Sequence, residues 1–411
     1  MTVSENPTGP DSPWRGSRWA LAILLAILGM LGPFSIDAYI PAFDAIAEAT
    51  AASPMQMQQT LSAYLFGFAF MNLFHGALSD SLGRRPVVLW GLVVFTLASI
   101  GCALAQSVEQ LIFCRALQGF STGAGIVVSR AVVRDIFRPA EAQRVMSQIT
   151  IFFGVAPAVA PMIGGALSHN LGWHAVFWFL AATGAALWLI NLRFLPESLR
   201  PEQRQPFRAG NLLRGYGQLL SDPRFVLLVL ASGVPFNGMF IYILAAPAFL
   251  GTILGLDATQ FFWFFIFGIS GIMGGSWLSG QQAGRVPPKR QIRDGFVIMA
   301  VFSLVNVAAN AVFAPSVWWS FLPIALLTFG WALMVPAVTL LALDVQPARR
   351  GTASSLQAAV GSAFNGLVAG VIAPLVMHSA PALALASFAF MLIGLLAWVL
   401  LHGLWPETGR S

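Results

Sequence analysis

Apolar stretches of about 20 residues recur along the whole chain, and short polar stretches separate them. As an α-helix, a stretch of about this length crosses a hydrocarbon core about 30 Å thick. We therefore predict twelve transmembrane helices, at residues 19–42, 57–78, 86–105, 110–130, 145–168, 173–194, 225–250, 260–281, 295–314, 317–342, 353–378 and 382–404.

The composition agrees with this pattern, because 57% of the 411 residues are hydrophobic and only 9% are charged. A soluble chain of this length would form two or three domains, and its surface would need many more charged residues. The sequence therefore predicts an all-α membrane protein that crosses the bilayer many times.

The basic residues indicate how these helices are oriented. If the N-terminus is cytoplasmic, all but one of the 22 Lys and Arg residues fall in cytoplasmic segments, as the positive-inside rule requires. Both termini are therefore predicted to be cytoplasmic. The formal net charge of +6 follows from this distribution and gives no indication of nucleic-acid binding.

The longest predicted internal loop divides the spans into two sets of six. We predict two helical bundles arranged as parallel repeats, with a substrate site near the membrane midplane. The predicted divisions are a disordered cytoplasmic tail at 1–17, an N-terminal six-helix bundle at 18–194, a cytoplasmic linker at 195–224, a C-terminal six-helix bundle at 225–405 and a cytoplasmic tail at 406–411.

The first predicted span contains a carboxylate, Asp37, between Pro33 and Pro41. An ionised Asp at the bilayer centre costs about 2.5 to 3.5 kcal/mol on insertion scales, so such a side chain pairs, is protonated or faces water. The prolines remove backbone donors and predict an irregular helix, which is tolerated beside a cavity. We expect Asp37 to face the bundle interior. The alternative is that the helix ends near Pro33 and Asp37 only caps it.

Arg115 is the one cation that this orientation does not assign to a cytoplasmic segment, and it lies inside the fourth predicted span at a depth similar to that of Asp37. An ion pair between the two is the least costly way to keep both in the membrane, and we predict that it forms. Alternatively, the Arg115 side chain extends to the outer interface and binds nothing.

The loop between the second and third spans, residues 76–85, combines two glycines with Asp80, Arg84 and Arg85. This run resembles the loop signature of the major facilitator superfamily, although Ser81 stands where the family usually has a cation. Further runs resemble the Bcr/CflA group of drug/proton antiporters, and the resemblance extends over essentially the whole membrane region. These runs lie at 35–41, 115–119, 133–137, 161–165 and 351–356.

The resemblance implies the major facilitator fold, with twelve transmembrane helices in two six-helix halves. It also implies a cytoplasmic latch, in which Asp80 meets the start of the eleventh helix near residues 351–354 and Arg84 pairs with Asp135. A carboxylate at a helix N-terminus contributes about 0.3–1 kcal/mol. Alternatively, these charges only fix the topology. The implied latch residues are Gly76, Asp80, Gly83, Arg84, Arg85 and Asp135.

Two further groups of residues are candidates for function. Pro157, Pro161, Gly164 and Gly165 in the fifth span are similar to a motif associated with antiporters, with Ala160 at a usual glycine. Close helix packing also explains these glycines. Polar or kinking residues in several spans could bind substrate together with Asp37. These are Tyr39, Tyr64, Asn237, Tyr242, Trp331, Gln357 and Asn365.

Other chemistry is not predicted. Residues 119–123 fit the Gly-x-Ser-x-Gly pattern, but that pattern requires a strained turn and a His partner, whereas this run lies inside a span and the five His residues fall near span ends. We interpret Gly119 and Gly123 as a packing face and predict no enzymatic activity. Cys102 and Cys114 are interpreted as small buried residues, although a disulfide is conceivable. No metal or cofactor is predicted.

The resulting hypothesis is a proton-coupled multidrug efflux antiporter of the bacterial inner membrane that exports small amphipathic compounds, similar to chloramphenicol or bicyclomycin, by alternating access. Asp37 is expected to couple proton and substrate. The expected partners are a small-molecule substrate, protons and membrane lipid, with no nucleic acid, and the protein is expected to be a monomer. The alternatives are a proton-coupled transporter of one metabolite, such as a nucleoside, amino acid or sugar, and a receptor or scaffold that transports nothing.

Overall fold

A computed structural model of the chain describes residues 17–256 and 262–404, which are almost entirely helical. Ser17 caps the first helix, because its side chain accepts a hydrogen bond from the backbone N–H of Ala20. The rest of the predicted tail at 1–17 and the whole tail at 406–411 lie outside the described residues.

The first six predicted spans correspond to seven α-helices. These are α1 (Arg18–Asp37), α2 (Phe43–Thr50), α3 (Pro54–Leu82), α4 (Arg84–Ala103), α5 (Val108–Ile136), α6 (Pro139–Leu171) and α7 (His174–Phe194). A short 3₁₀ turn, Ile40–Ala42, joins α1 to α2.

From residue 195 onward, the described residues form nine further α-helices. These are α8 (Ala209–Leu220), α9 (Pro223–Gly233), α10 (Asn237–Leu244), α11 (Phe262–Gln282), α12 (Pro288–Val312), α13 (Val317–Asp344), α14 (Arg350–Leu367), α15 (Ala373–Val376) and α16 (Ala380–Leu404). Two π-helical segments, Pro247–Ile253 and Val368–Ile372, interrupt the regular α-helical ladder after α10 and α14.

The predicted twelve-helix architecture is confirmed. Within the described residues, ten helical segments are long and apolar enough to cross a membrane, and α9 with α10, bent by 43°, forms an eleventh. The 21 residues of α11 coincide with the eighth predicted span. Several helices extend beyond the predicted spans, as α6 does by starting at Pro139, because hydropathy marks the apolar part of a helix and not its end.

The chain forms two compact units whose boundaries lie inside helices as well as in loops. The first unit comprises Met1–Arg138, Val155–Gly215 and Pro347–Ala359, and the second comprises Pro139–Gly154, Tyr216–Gln346 and Val360–Ser411. The start of α14 therefore belongs with the first unit, and the start of α6 with the second.

Helices pack in the same order within each unit. In the first unit, α3 and α1 pack on α5, and α4 packs on α7. In the second unit, α11 and α9 pack on α13, and α12 packs on α16. Corresponding helices of the two six-span sets therefore have corresponding neighbours, which is the arrangement that parallel repeats predict.

The interpretation of Gly119 as a packing residue is supported by the contact between α5 and α3. A Cβ atom at Gly119 would overlap the carbonyl oxygen of Tyr64, so only glycine permits this approach of the two backbones. The same run does not form a hydrolase turn, because α5 is continuous and Ser121 donates a hydrogen bond to the carbonyl of Gln118.

The predicted linker at 195–224 contains structure that the sequence analysis missed. It includes a 3₁₀ turn, Pro201–Gln203, and the amphipathic helix α8. The signal was present in the sequence, because leucines and Tyr216 recur at helical spacing in α8. The linker also contacts the last turn of α3, where the backbone N–H of Gln205 donates to the carbonyl of Asp80.

Replacing Gly119 with alanine should destabilise the first unit, because the added Cβ atom forces α5 away from α3. Overpacking of this kind costs about 1–3 kcal/mol. The measurement is the thermal unfolding midpoint of the purified protein in detergent. Gly366→Ala is the matched control, since a Cβ atom there meets nothing within 4 Å. Equal midpoints for the two variants would contradict the packing assignment.

Candidate functional site

The carboxylate Asp37 is the last residue of α1 and is half-buried. Pro33 lies within the helix and does not end it, since the backbone N–H of Ala38 still bonds to the carbonyl of Phe34. No described residue forms a hydrogen bond or an ion pair with the Asp37 side chain. The alternative that Asp37 caps a helix ending near Pro33 is therefore wrong. The observed break in the helix follows Asp37.

The predicted ion pair between Asp37 and Arg115 is wrong. Arg115 is fully buried, and its Nη1 atom donates to the Oε1 atom of Gln118 at 2.9 Å and to the carbonyl of Ser35 at 3.4 Å. The guanidinium carbon lies 4.4 Å from the ring centre of Tyr39 and 4.3 Å from that of Tyr64. Cation–π contacts with two rings and neutral acceptors stabilise the charge without a carboxylate. Because the side chain is buried, extension to the outer interface is wrong as well.

The hydroxyl groups of the two tyrosines that contact Arg115 form hydrogen bonds with the hydroxyl groups of Ser and Thr side chains. The Tyr64 hydroxyl lies 2.7 Å from the Ser35 hydroxyl and 3.0 Å from that of Thr122, and the Tyr39 hydroxyl lies 2.6 Å from that of Thr60. Both rings are fully buried. Tyr64 also interacts electrostatically with Asp37. Tyr64 therefore interacts with both Asp37 and Arg115.

The fifth-span motif contacts the end of α1 beside Asp37. A Cβ atom at Gly164 would overlap the carbonyl oxygen of Ala38, and one at Gly165 would lie 3.7 Å from the Cβ atom of Pro41. The packing explanation of these glycines is thus supported. Pro161 is half-buried in α6, and the Pro157 side chain lies outside the described residues. A role of the motif in antiport stays a prediction.

In the second unit, three of the predicted pocket residues, Asn237, Tyr242 and Trp331, are buried. The Trp331 ring lies 5.0 Å from that of Phe236, which precedes Asn237, at a tilt of 47°, and its Nε1 atom donates to the carbonyl of Ser232 at 2.9 Å. The Tyr242 hydroxyl accepts a hydrogen bond from the Nδ2 atom of Asn306 at 2.8 Å. The Oδ1 atom of Asn237 has no hydrogen bond within the described chain.

Two of the predicted pocket residues lie apart from these contacts, and two polar residues were missed. Gln357 is buried and Asn365 half-buried, both in α14.

Asn306 and Asn310 of α12 are the two polar residues that were not predicted. Both are buried and bonded to each other. Their spacing of four residues within an apolar span was a signal that the sequence analysis did not use.

The side chain of Asp80 binds the start of α14, as the resemblance implied. One carboxylate oxygen accepts from the backbone N–H of Gly351 at 3.0 Å, and the other accepts from the backbone N–H and the hydroxyl of Thr352, both at 2.7 Å. Asp80 is buried and pairs with Arg84. The free N–H groups at a helix start make this a favourable place for a carboxylate.

Arg84 connects this carboxylate to a second one. Its Nε atom lies 3.0 Å from a carboxylate oxygen of Asp135, and the other oxygen of Asp135 lies 3.2 Å from Arg350 at the start of α14. Arg84 is buried, and it also donates to the Ser79 hydroxyl at 2.7 Å. Two acids and two cations therefore alternate at the predicted cytoplasmic end of the first unit.

The remaining latch glycines have structural roles of their own. Gly83 has φ of +104°, which favours glycine, and separates α3 from α4. The backbone N–H of Gly76 donates to the Ser355 hydroxyl at 2.8 Å, and a Cβ atom at Gly76 would overlap the carbonyl of Gly351. Gly76 therefore permits the close approach of α3 to the start of α14, and Gly83 permits the turn from α3 into α4.

Glu197 is a latch residue that the sequence analysis missed. Its carboxylate accepts from the backbone N–H groups of Arg84 at 2.9 Å and Arg85 at 3.3 Å, so it caps α4. Arg85 in turn donates to the carbonyl of Leu192 near the end of α7. The sequence signal that could have identified Glu197 is the position of this acidic residue directly after the sixth predicted span.

His75 was predicted near a span end, but it is buried within α3. Its Nδ1 atom and the side-chain amide of Asn72 have no hydrogen bond within the described chain, and both side chains face Gly123 of α5. Cys102 and Cys114 are free thiols. Among the described residues, no three His, Cys, Asp or Glu side chains are placed to hold a metal ion.

Membrane-length helices in repeated packing order, with charged groups held inside and at the ends of the spans, define a polytopic membrane protein of transporter architecture. A family model described as Major Facilitator Superfamily matches residues 25–370. The chain belongs to this superfamily, and the resemblance inferred from its motifs is confirmed.

Relatives and solved structures agree with this assignment. The chain is 33% identical to Uncharacterized MFS-type transporter YdgK of Bacillus subtilis, with 96% of each chain covered. It is 29% identical to Bicyclomycin resistance protein homolog of Haemophilus influenzae, with 94% of this chain and 96% of the relative covered. The proton:xylose symporter XylE superposes with a TM-score of 0.75 at 15% identity over 95% of this chain and 96% of its own, which supports the fold alone.

Replacing Arg115 with lysine should destabilise the protein by about 2 kcal/mol, because an ammonium group loses the planar contact with two tyrosine rings. The unfolding midpoint in detergent measures the effect. Arg193→Lys is the control, since Arg193 is exposed and its guanidinium lies 5.7 Å from one ring only. If both variants unfold at the wild-type temperature, the Tyr39 and Tyr64 contacts do not stabilise Arg115.

Proposed function

We propose that the protein is a proton-coupled multidrug efflux antiporter that exports small amphipathic compounds, similar to chloramphenicol or bicyclomycin, by alternating access. One observation carries the proposal: Asp37 lies at the end of a membrane helix without a bonding partner in the described chain, while the buried cation Arg115 contacts two tyrosine rings and bonds to neutral acceptors instead. The relative named for bicyclomycin resistance supports the substrate class.

The coupling step follows from the cost of an unpaired charge in the membrane. Asp37 has to be protonated or hydrated whenever no cation pairs with it. A proton on the carboxylate removes that cost, and a polar or cationic substrate that contacts the ionised carboxylate removes it in another way. Proton and substrate therefore compete for one group, which gives antiport. A single carboxylate carries one proton per cycle.

Tyr64 is placed to transmit the state of Asp37 to the packed helices. Its ring contacts Arg115, its hydroxyl binds α1 and α5 through Ser35 and Thr122, and it interacts electrostatically with Asp37. Gly164 holds α6 against the residue that follows Asp37. A change in the charge of Asp37 therefore acts on three helices of the first unit at once.

The Asp80 contacts supply the second element of the cycle. In our proposal they stabilise the state closed to the cytoplasm, and they have to break each time the transporter opens inward. Hydrogen bonds to a charged group contribute about 1.5–3 kcal/mol each, so breaking them is costly but reversible. Arg84, Asp135 and Arg350 form the ionic part of the same latch.

The remaining assignments follow from topology and family. We propose that both termini are cytoplasmic, that the protein lies in the bacterial inner membrane as a monomer and that it is not an enzyme. The distribution of basic residues supports the orientation. The transporter fold and the hydrogen bond of Ser121 within its own helix support the absence of hydrolase chemistry.

Everted membrane vesicles test the function directly. With a pH gradient imposed, the wild-type protein should accumulate several chemically unrelated compounds, chloramphenicol among them, and collapse of the gradient should release them. Asp37→Asn should abolish uphill accumulation while the protein still folds, because the amide cannot carry the proton.

Asp44→Asn is the matched control, since Asp44 is exposed on α2 a short distance along the chain. It should transport at the wild-type rate. Uphill transport by Asp37→Asn would reject the coupling role. Accumulation of one metabolite alone would reject multidrug export, and a wild-type protein that transports nothing would reject both.

The latch predicts a different phenotype for Asp80→Asn. The amide keeps the shape of the side chain but loses the charge that binds Arg84 and α14, so turnover should slow by about tenfold while substrate affinity stays unchanged. Transport rates at saturating substrate, compared with equilibrium binding in detergent, separate the two effects. Glu202→Gln changes an exposed acid in the linker and serves as control. An unchanged rate for Asp80→Asn would count against the latch.

A further inference from the structure

A groove runs between α12 and α16 in the second unit and takes no part in the proposed transport cycle. Its volume is about 280 Å³. The walls are apolar and come from Phe296, Val297, Ala300, Leu395, Trp398 and Val399. Val297 is 54% exposed and Val399 is 57% exposed, so the groove opens on the outer surface of the helices.

One end of this groove is polar and positively charged. Arg293 of α12 and His402 of α16 close it, at the start of one helix and the end of the other. Arg293 lies 3.0 Å from Asp294, but this ion pair is exposed and therefore weak. Lys289 and Arg290 lie in the same first turns of α12, so cations outnumber the one acid there. The N-terminus of α12 adds a further positive potential.

The apolar walls and the cationic end together match one kind of molecule. Within a membrane, the exposed apolar face of α12 and α16 is covered by lipid acyl chains. The cationic end lies at the predicted cytoplasmic side, where anionic headgroups attract basic residues and where basic pockets between helices bind lipid phosphates. A soluble anion would leave the apolar walls uncovered, and a zwitterionic lipid would leave the positive charge unmatched.

We propose that this groove binds one anionic phospholipid, with an acyl chain between α12 and α16 and the phosphate at Arg293, beside His402. The guanidinium donates to phosphate oxygens, for which its planar donor set is suited. The His402 Nδ1–H group donates to the Trp398 carbonyl at 3.2 Å, which holds the ring in place as a polar wall at the headgroup end of the groove. The bound lipid joins the ninth and twelfth spans at their predicted cytoplasmic ends.

Native mass spectrometry of the full-length, lipid-depleted protein tests this site. Titration with phosphatidylglycerol should give one tightly bound lipid per chain, and phosphatidylcholine with the same acyl chains should bind at least tenfold more weakly. Arg293→Gln should weaken binding of phosphatidylglycerol by about fivefold, the effect of one cation near a lipid surface. Ala300→Phe should fill the groove and abolish the tight site.

Arg290→Gln is the matched control, because Arg290 is an exposed neighbour that does not line the groove. It should bind phosphatidylglycerol like the wild type. Equal loss in Arg290→Gln and Arg293→Gln would overturn the site in favour of diffuse attraction. Equal binding of the two lipids, unchanged binding by Ala300→Phe, or displacement of the lipid by glycerol 3-phosphate at similar concentration would overturn it too.

Discussion

The cost of a charge inside a membrane governs the arrangement of the first unit. Contacts with two tyrosine rings, a glutamine and a backbone carbonyl reduce that cost for Arg115, and all of these partners are buried with it. Asp37 has no comparable set of partners in the described chain. The cation is therefore fixed and permanent, whereas the carboxylate depends on what enters its surroundings. A transporter coupled to protons requires that difference.

Asp37 and Asp80 lie at opposite kinds of helix end, and this difference suits the two acids to different roles. Asp80 meets the N-terminus of α14, where backbone N–H groups are free, and it receives hydrogen bonds on both oxygens. Asp37 ends α1 at its C-terminus, where the free backbone groups are carbonyls and offer no donor. Asp80 is thus suited to hold structure. Asp37 is suited to exchange a proton.

The depth of a residue along a membrane helix can be predicted from the sequence. The side of the helix on which the residue meets its neighbours is predicted poorly. Counting along two spans put Asp37 and Arg115 at similar depths, but the rotation of each helix decides which groups meet, and Tyr39 just after α1 and Tyr64 on α3 contact Arg115 instead. The Asp80 contacts could be predicted because a whole motif, and not one residue, specifies them. Helix α8, Asn306 and Glu197 were missed because their signals are short patterns without such a motif.

In the proposed cycle, Asp37 exchanges its proton for substrate. Release of protons by the purified protein tests it most directly, with a pH-sensitive dye in weakly buffered detergent solution near neutral pH. Addition of a compound that the vesicle assay identifies as transported should release protons from the wild-type protein, up to about one per bound molecule, and none from Asp37→Asn. Binding by the wild type without proton release, or equal release by Asp37→Asn, would contradict the account.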